Sequence, residues 1–184
     1  MTALQPLRFL PVLLYGTLTA WGLGPVVGGP ARDFTLKSLG GGEVSLSKEV
    51  AKGSVVLVVL RGFPGYQCPV CNRQVRELLN QAKSFSDAKV RVLLVYPGPA
   101  ALVKDKAQEF AVNKQMPAHF DLLLDPDYEF TNSYGLRWDA PKETAYPSTF
   151  VIDRSGVVRF AKVSQTHGGR ASVAEILEAL QTIR

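Results

Sequence analysis

The sequence predicts an α/β fold with one central sheet flanked by helices. Three observations carry this. Residues 54–60 (SVVLVVL) and 90–96 (VRVLLVY) are short, nearly continuous aliphatic runs, the pattern of strands buried on both faces. Stretches with apolar residues at helical spacing follow them, over residues 71–85 and 100–112. A strand–turn–strand pattern and one more amphipathic stretch close the chain. Such an alternation builds a sheet sandwiched between helices.

The elements follow in order. Residues 33–39 (DFTLKSL) alternate apolar and polar positions and run into Gly40-Gly41-Gly42, a strand and its turn. Residues 54–60 are the first buried strand. Residues 71–85 (CNRQVRELLNQAKSF) place Val75, Leu78, Leu79 and Ala82 on one helical face. Residues 90–96 are the second buried strand, and residues 100–112 an amphipathic helix. Residues 120–124 read as a short strand, and residues 127–134 as a short helix stopped by Gly135. Residues 148–153 and 157–163 flank Arg154-Ser155-Gly156, a hairpin-type turn, and residues 172–183 form the last helix. Between them, residues 136–146 are weakly patterned and are a candidate functional loop.

A chain of 184 residues suits one substantial core. Hydrophobic residues make up 46% and charged residues 20%, an ordinary globular mix. The net charge is +5, but the basic residues are scattered, with no run and no aromatic-interleaved stripe. This argues for a solvated mixed surface and against a nucleic-acid partner.

The first 26 residues differ from the rest. They carry one charge, Arg8, and the next is Arg32. A basic start, an apolar stretch from Phe9 to Leu23 and the small-x-small sequence Ala20-Trp21-Gly22 match a secretory signal. Uncut, residues 9–27 just reach the length that spans a bilayer. We therefore expect residues 1–26 to be a signal peptide or membrane anchor and residues 27–184 to be the folded domain. That places the domain on the periplasmic or other extracytoplasmic side, with a buried N-terminal helix of a cytoplasmic protein as the rival reading.

Residues 61–71 read RGFPGYQCPVC and hold the only two cysteines, Cys68 and Cys71. So small a ring does not staple a fold, and the spacing points to redox or metal chemistry. The pair lies between a buried strand and a helix, so both sulfurs fall near a helix N-terminus. Free N–H groups and the helix dipole favour a thiolate there. Pro69 suits the first helical turn, where its missing N–H costs nothing. A thiolate attacks a disulfide or a peroxide, and the second cysteine can then close a disulfide. Arg61, at the end of the strand, is placed to lower a thiol pKa, and Tyr66 and Gln67 to shape access.

C-x-x-C at a strand–helix junction resembles the thioredoxin superfamily. Residues 27–36 (VGGPARDFTL) and 148–158 (STFVIDRSGVV) resemble the opening and the hairpin of the alkyl hydroperoxide reductase/thiol-specific antioxidant, or peroxiredoxin, family. The resemblance covers most of the chain after residue 26. It implies a thioredoxin-like fold, with a central mixed β-sheet flanked by helices and a cysteine-based site. The family's P-x-x-x-[TS]-x-x-C motif matches from Pro64 to Cys71, with Cys68 where Thr or Ser belongs. On that register Cys71 attacks the peroxide and Cys68 resolves the sulfenic acid. The family's arginine ahead of the Phe-Val-Ile-Asp strand is replaced by Pro147, which leaves Arg61, Arg137 and Arg170 as candidates for its role.

The two departures also fit thioredoxin-like disulfide reductases. In these, the first cysteine of C-x-x-C attacks, and a cis-proline before a strand packs on the dithiol. Tyr146-Pro147-Ser148-Thr149-Phe150 resembles that feature, which makes Cys68 the nucleophile. A third reading, from another class, is a thioredoxin-fold copper or zinc chaperone using the cysteines and a histidine. His167 sits beside a glycine turn and His119 at a strand start, and both suit structural roles better. The sequence therefore leads to a thiol–disulfide redox enzyme with Cys71 and Cys68 as its reacting pair. Pro64, Tyr66, Pro69, Pro147 and Arg61 shape the site. No organic cofactor and no metal is implied. The expected substrate is a peroxide or a protein disulfide, and the expected reductant is another dithiol protein.

Overall fold

The computed structural model describes residues 24–183, and the predicted signal or anchor over residues 1–26 lies almost wholly outside them. Among the described residues no helix is long and apolar enough to cross a membrane. Seven strands of the described residues form one mixed sheet. They are β1 (Thr35–Ser38), β2 (Glu43–Ser45), β3 (Val55–Val59), β4 (Arg91–Gly98), β5 (Phe120–Pro126), β6 (Ser148–Ile152) and β7 (Val158–Val163). Their order across the sheet is β2-β1-β5-β4-β3-β6-β7. β3, β4 and β5 run parallel; β6 pairs antiparallel with β3 and β7, and β1 pairs antiparallel with β5 and β2.

The helices are α1 (Leu46–Val50), α2 (Pro69–Asn80), α3 (Ala82–Asp87), α4 (Ala100–Ala111), α5 (Glu129–Ser133) and α6 (Val173–Gln181). Strand periodicity sorts the core into two faces. Val56, Val58, Leu60, Val92, Leu94 and Tyr96 face Val75 and Leu78 of α2, Phe85 of α3, Phe110 of α4 and Ile176 of α6. Val55, Leu57, Val59, Leu93 and Val95 face Leu46 and Val50 of α1 and Phe130 of α5. All five residues of β3 are fully buried, which is why this run shows no polar alternation.

The expected elements are present. Patterning did not disclose β2 and α1. Glu43–Ser45 is too short to show a period, and α1 has five residues. The helix expected over residues 71–85 is two helices that begin at Pro69. The break falls at Gln81, whose backbone (φ −106°, ψ 16°) leaves the helical region although no Gly or Pro is present. Two backbone features position the site. β3 ends where Gly62 turns at φ +64°, against the Pro97 carbonyl of β4. α6 opens with a capping box, in which the Ser172 side chain accepts from Glu175 N–H while Glu175 accepts from Ser172 N–H. That box anchors the chain just after Arg170.

Candidate active site

Cys68 is the N-cap of α2, and its sulfur accepts the Cys71 N–H at 3.3 Å. Pro69 follows at the first helical position, as expected. Cys71 lies one turn in, on the buried face with Gln74, Val75 and Leu78. Both cysteines are free thiols, and each residue is 1% exposed.

Two arginines act on the pair by different routes. Arg170 reaches in from the loop before α6: Nη2 lies 3.4 Å from Cys71 Sγ and 3.8 Å from Cys68 Sγ. Its Nη1 donates to Gln74 Oε1 at 2.7 Å and its Nε to the His167 carbonyl at 3.0 Å. Arg61 uses its backbone, whose N–H donates to Cys71 Sγ at 3.4 Å. Its side chain, 2% exposed, turns away to Glu143 Oε2 (2.8 Å), the Lys142 carbonyl (2.8 Å) and Tyr66 Oη (2.9 Å). The Thr144 hydroxyl donates to the Arg61 carbonyl. Of the three candidate arginines, Arg170 thus takes the place over the sulfurs. Arg137 instead holds the Trp138 and Thr144 carbonyls and lies over the Tyr128 ring.

This arrangement divides the charge unequally. The Cys71 thiol, donating to Cys68, lowers the Cys68 pKa to about 5. The Cys71 N–H, Arg170 and Arg61 act in the same direction, against the effect of burial. Burial first, and then the neighbouring Cys68, push the Cys71 thiol up. The balance therefore favours a thiolate on Cys68 over one on Cys71.

The other sequence-predicted residues surround this centre at varying range. Tyr66 is 44% exposed and contacts Arg61, with the guanidinium 5.5 Å from the ring centroid. Gln67 accepts from the buried Tyr96 hydroxyl at 2.9 Å and donates to the Lys106 carbonyl, which ties the segment before Cys68 to β4 and α4. Pro64 is half-buried in that segment. Pro147 is buried just before β6, but the Tyr146–Pro147 bond is trans; the described residues contain no cis peptide bond, so the cis-proline feature of the reductase reading is corrected. The histidines are not brought to the sulfurs. His119 pairs with the Ala82 carbonyl, and His167 with Glu143 Oε1 at 2.8 Å. Among the described residues no group of three His, Cys, Asp or Glu side chains is arranged to hold a metal ion.

Glu143 and Gln74 were missed by the sequence reading. Gln74 had a signal, as a polar residue on the buried face of α2 one turn beyond Cys71. Glu143 had none, since its partner Arg61 lies 82 positions away.

The chain resembles known proteins in sequence and in fold. The chain is similar to chloroplastic peroxiredoxin Q of Oryza sativa subsp. japonica, with 29% identity over 156 residues that make up 85% of this chain and 67% of that protein. It is also similar to alkyl hydroperoxide reductase E of Mycobacterium tuberculosis strain H37Rv, with 29% identity over 141 residues, 76% of this chain and 86% of that one. Among solved structures, peroxidoxin BcpB of Mycobacterium tuberculosis superposes with a TM-score of 0.66 at 21% identity, over 88% of this chain and 99% of that one. The fold is therefore the thioredoxin-like one of peroxiredoxins. A sequence model of the AhpC/TSA family matches residues 27–161, from ahead of β1 through the dithiol and β6 into β7, and by that match the chain belongs to the AhpC/TSA family.

Proposed function

We propose that the chain is a thiol-dependent peroxidase in which Cys68 attacks the peroxide and Cys71 resolves. The observation that carries the assignment is the position of Cys68 at the N-cap of α2, where the Cys71 N–H, the Cys71 thiol and Arg170 all favour its thiolate. Family membership supplies the reaction class. Burial of both sulfurs favours a small oxidant over a folded protein disulfide.

The Cys68 thiolate attacks the terminal oxygen of a hydroperoxide; an S–O bond forms and the O–O bond breaks. The departing oxygen takes a proton from water and leaves as alcohol or water, and Cys68 becomes a sulfenic acid. The Cys71 thiol then attacks that sulfur; water leaves and the disulfide closes. Two electrons have passed from the dithiol to the peroxide, and a dithiol partner protein returns them by exchange.

A second reading has a specific observation behind it. In the motif register Cys71 holds the attacking position, and two donors, Arg61 N–H and Arg170 Nη2, meet on its sulfur. Stopped-flow oxidation of the reduced protein by stoichiometric hydrogen peroxide separates the two. We expect fast thiol loss that survives Cys71→Ser and is abolished by Cys68→Ser. The reverse pattern assigns the attack to Cys71. Oxidation no faster than that of a free thiol overturns the peroxidase reading and, with rapid reduction of insulin disulfides, leaves a disulfide reductase working through Cys68.

A further inference from the structure

We infer that Glu143 is a positioning residue for the dithiol, acting through His167 on Arg170. The inference rests on the reading of the Cys68–Cys71 pair as the reacting centre. The Glu143 side chain is 12% exposed, and its carboxylate spans two elements. Oε2 accepts from the Arg61 side chain at 2.8 Å, and Oε1 pairs with His167 Nε2 at 2.8 Å. One carboxylate thus joins the exit of β3 to the loop before α6. Each of those elements delivers one donor to Cys71 Sγ: the Arg61 N–H from the first, Arg170 Nη2 from the second.

The loop end of this clamp is specific. His167 lies three residues before Arg170, and its carbonyl accepts Arg170 Nε at 3.0 Å. The imidazole ring is pinned by Glu143 and packs 5.4 Å from Trp138, which stacks on Tyr146 at 4.9 Å and 12°. Within the loop, the Ser164 hydroxyl bonds the Thr166 and Gly168 carbonyls. Fixing His167 therefore fixes the carbonyl that aims the guanidinium. Gln74 orients its other edge. A bidentate fork held at two corners gives a defined third contact, here the sulfurs.

Truncating Glu143 would strand the buried Arg61, so the test cuts the exposed arm instead. Four full-length reduced proteins are compared: the parent, His167→Ala, Arg170→Ala and the double variant. Two quantities are read, the rate constant for oxidation by hydrogen peroxide and the midpoint of thiolate absorbance at 240 nm. Arg170→Ala should slow oxidation by about ten- to a hundredfold, the loss of a charged donor at the reacting atoms. His167→Ala should slow it by about three- to tenfold, from loosened aim alone. It should raise the absorbance midpoint as well, and it should change neither quantity once Arg170 is absent. His167→Gln, which keeps a donor within reach of Glu143, should recover most of the loss. Equal effects of His167→Ala in both backgrounds, or none in either, overturn the inference. If the parent proves not to be a peroxidase, the absorbance midpoints still decide the question, because they report where Arg170 sits whatever the oxidant.

Glu143→Gln supplies an independent check. Removing the carboxylate charge unmasks Arg61, so electrostatics alone would lower the midpoint of thiolate absorbance. A positioning role raises that midpoint instead, because Arg170 is no longer aimed at the sulfurs.

Discussion

Gly62→Ala is the sharpest test of how β3 delivers the chain to the dithiol. Gly62 has φ +64°, and a Cβ placed there would stand 1.8 Å from the Pro97 carbonyl oxygen and 2.8 Å from its carbon. Backbone faces backbone, so no side chain can swing aside. β3 and β4 would have to part locally by more than an ångström, which breaks the bond from Phe63 N–H to the same carbonyl (3.2 Å). The left-handed conformation costs about 1–2 kcal/mol for a residue with a Cβ, the overpacking about 1–3 kcal/mol and the lost bond about 1 kcal/mol. Lower entropy of the unfolded chain returns about 0.4–1 kcal/mol. The net loss is about 2–6 kcal/mol, roughly 4–22 °C in melting temperature for a domain of this size. Gly156→Ala is the control. It has φ +76° in the β6–β7 turn with nothing within 4 Å of the added atom, so only the conformational cost less the same entropy return applies, a net of about 0–1.6 kcal/mol. Urea unfolding of both variants reads the difference. If Gly62→Ala is destabilised no more than Gly156→Ala, the close approach to Pro97 does not constrain the strand exit.

Two further outcomes are expected. Absorbance at 240 nm should report one thiolate appearing with a midpoint near pH 5 and a second only above the ordinary thiol range, since Cys68 is lowered to about 5 and Cys71 is raised; Cys68→Ser should abolish the low step, and a low step that persists moves the thiolate to Cys71. We also read residues 1–26 as an export signal or membrane anchor, from the basic start and apolar run ahead of Val27. N-terminal sequencing and carbonate extraction of the mature protein should find cleavage near Ala20-Trp21-Gly22 or retention in the membrane. An intact chain that is carbonate-soluble refutes both.

The central sheet was legible because burial on both faces leaves a plain record in sequence. β3 is an unbroken aliphatic run, β4 holds one over Val92–Val95, and the helices between strands keep their apolar period. The cysteine pair was legible for the same local reason: spacing, Pro69 and a strand–helix junction all lie within a dozen residues. What was lost depends on contacts distant in sequence. Arg170 was one of three candidate arginines, and only folding sets it over the sulfurs while turning the Arg61 side chain toward Glu143. Arg61 touches Cys71 only through a backbone N–H that any residue other than proline would supply, while its guanidinium charge acts on Cys68 from a distance. The break at Gln81 has no residue that announces it, and the bond before Pro147 takes the ordinary trans form despite the likeness of its surroundings to a cis-proline motif.

Arg170 and Cys68 are 102 residues apart in the chain, and that separation governs when the site comes alive. β3, α2 and β4 are neighbours in sequence and can assemble early. β6, the hairpin partner β7 and the loop carrying Arg170 must close a long loop before they dock, which places them late in folding. A nascent chain that has emerged only as far as β5 already carries both thiols, but without the guanidinium that favours their ionised form. Its Cys68 lacks one of the charges that lower its pKa, and its Cys71 lacks a side-chain donor to its sulfur. Completion of the site thus waits on the last strands of the sheet.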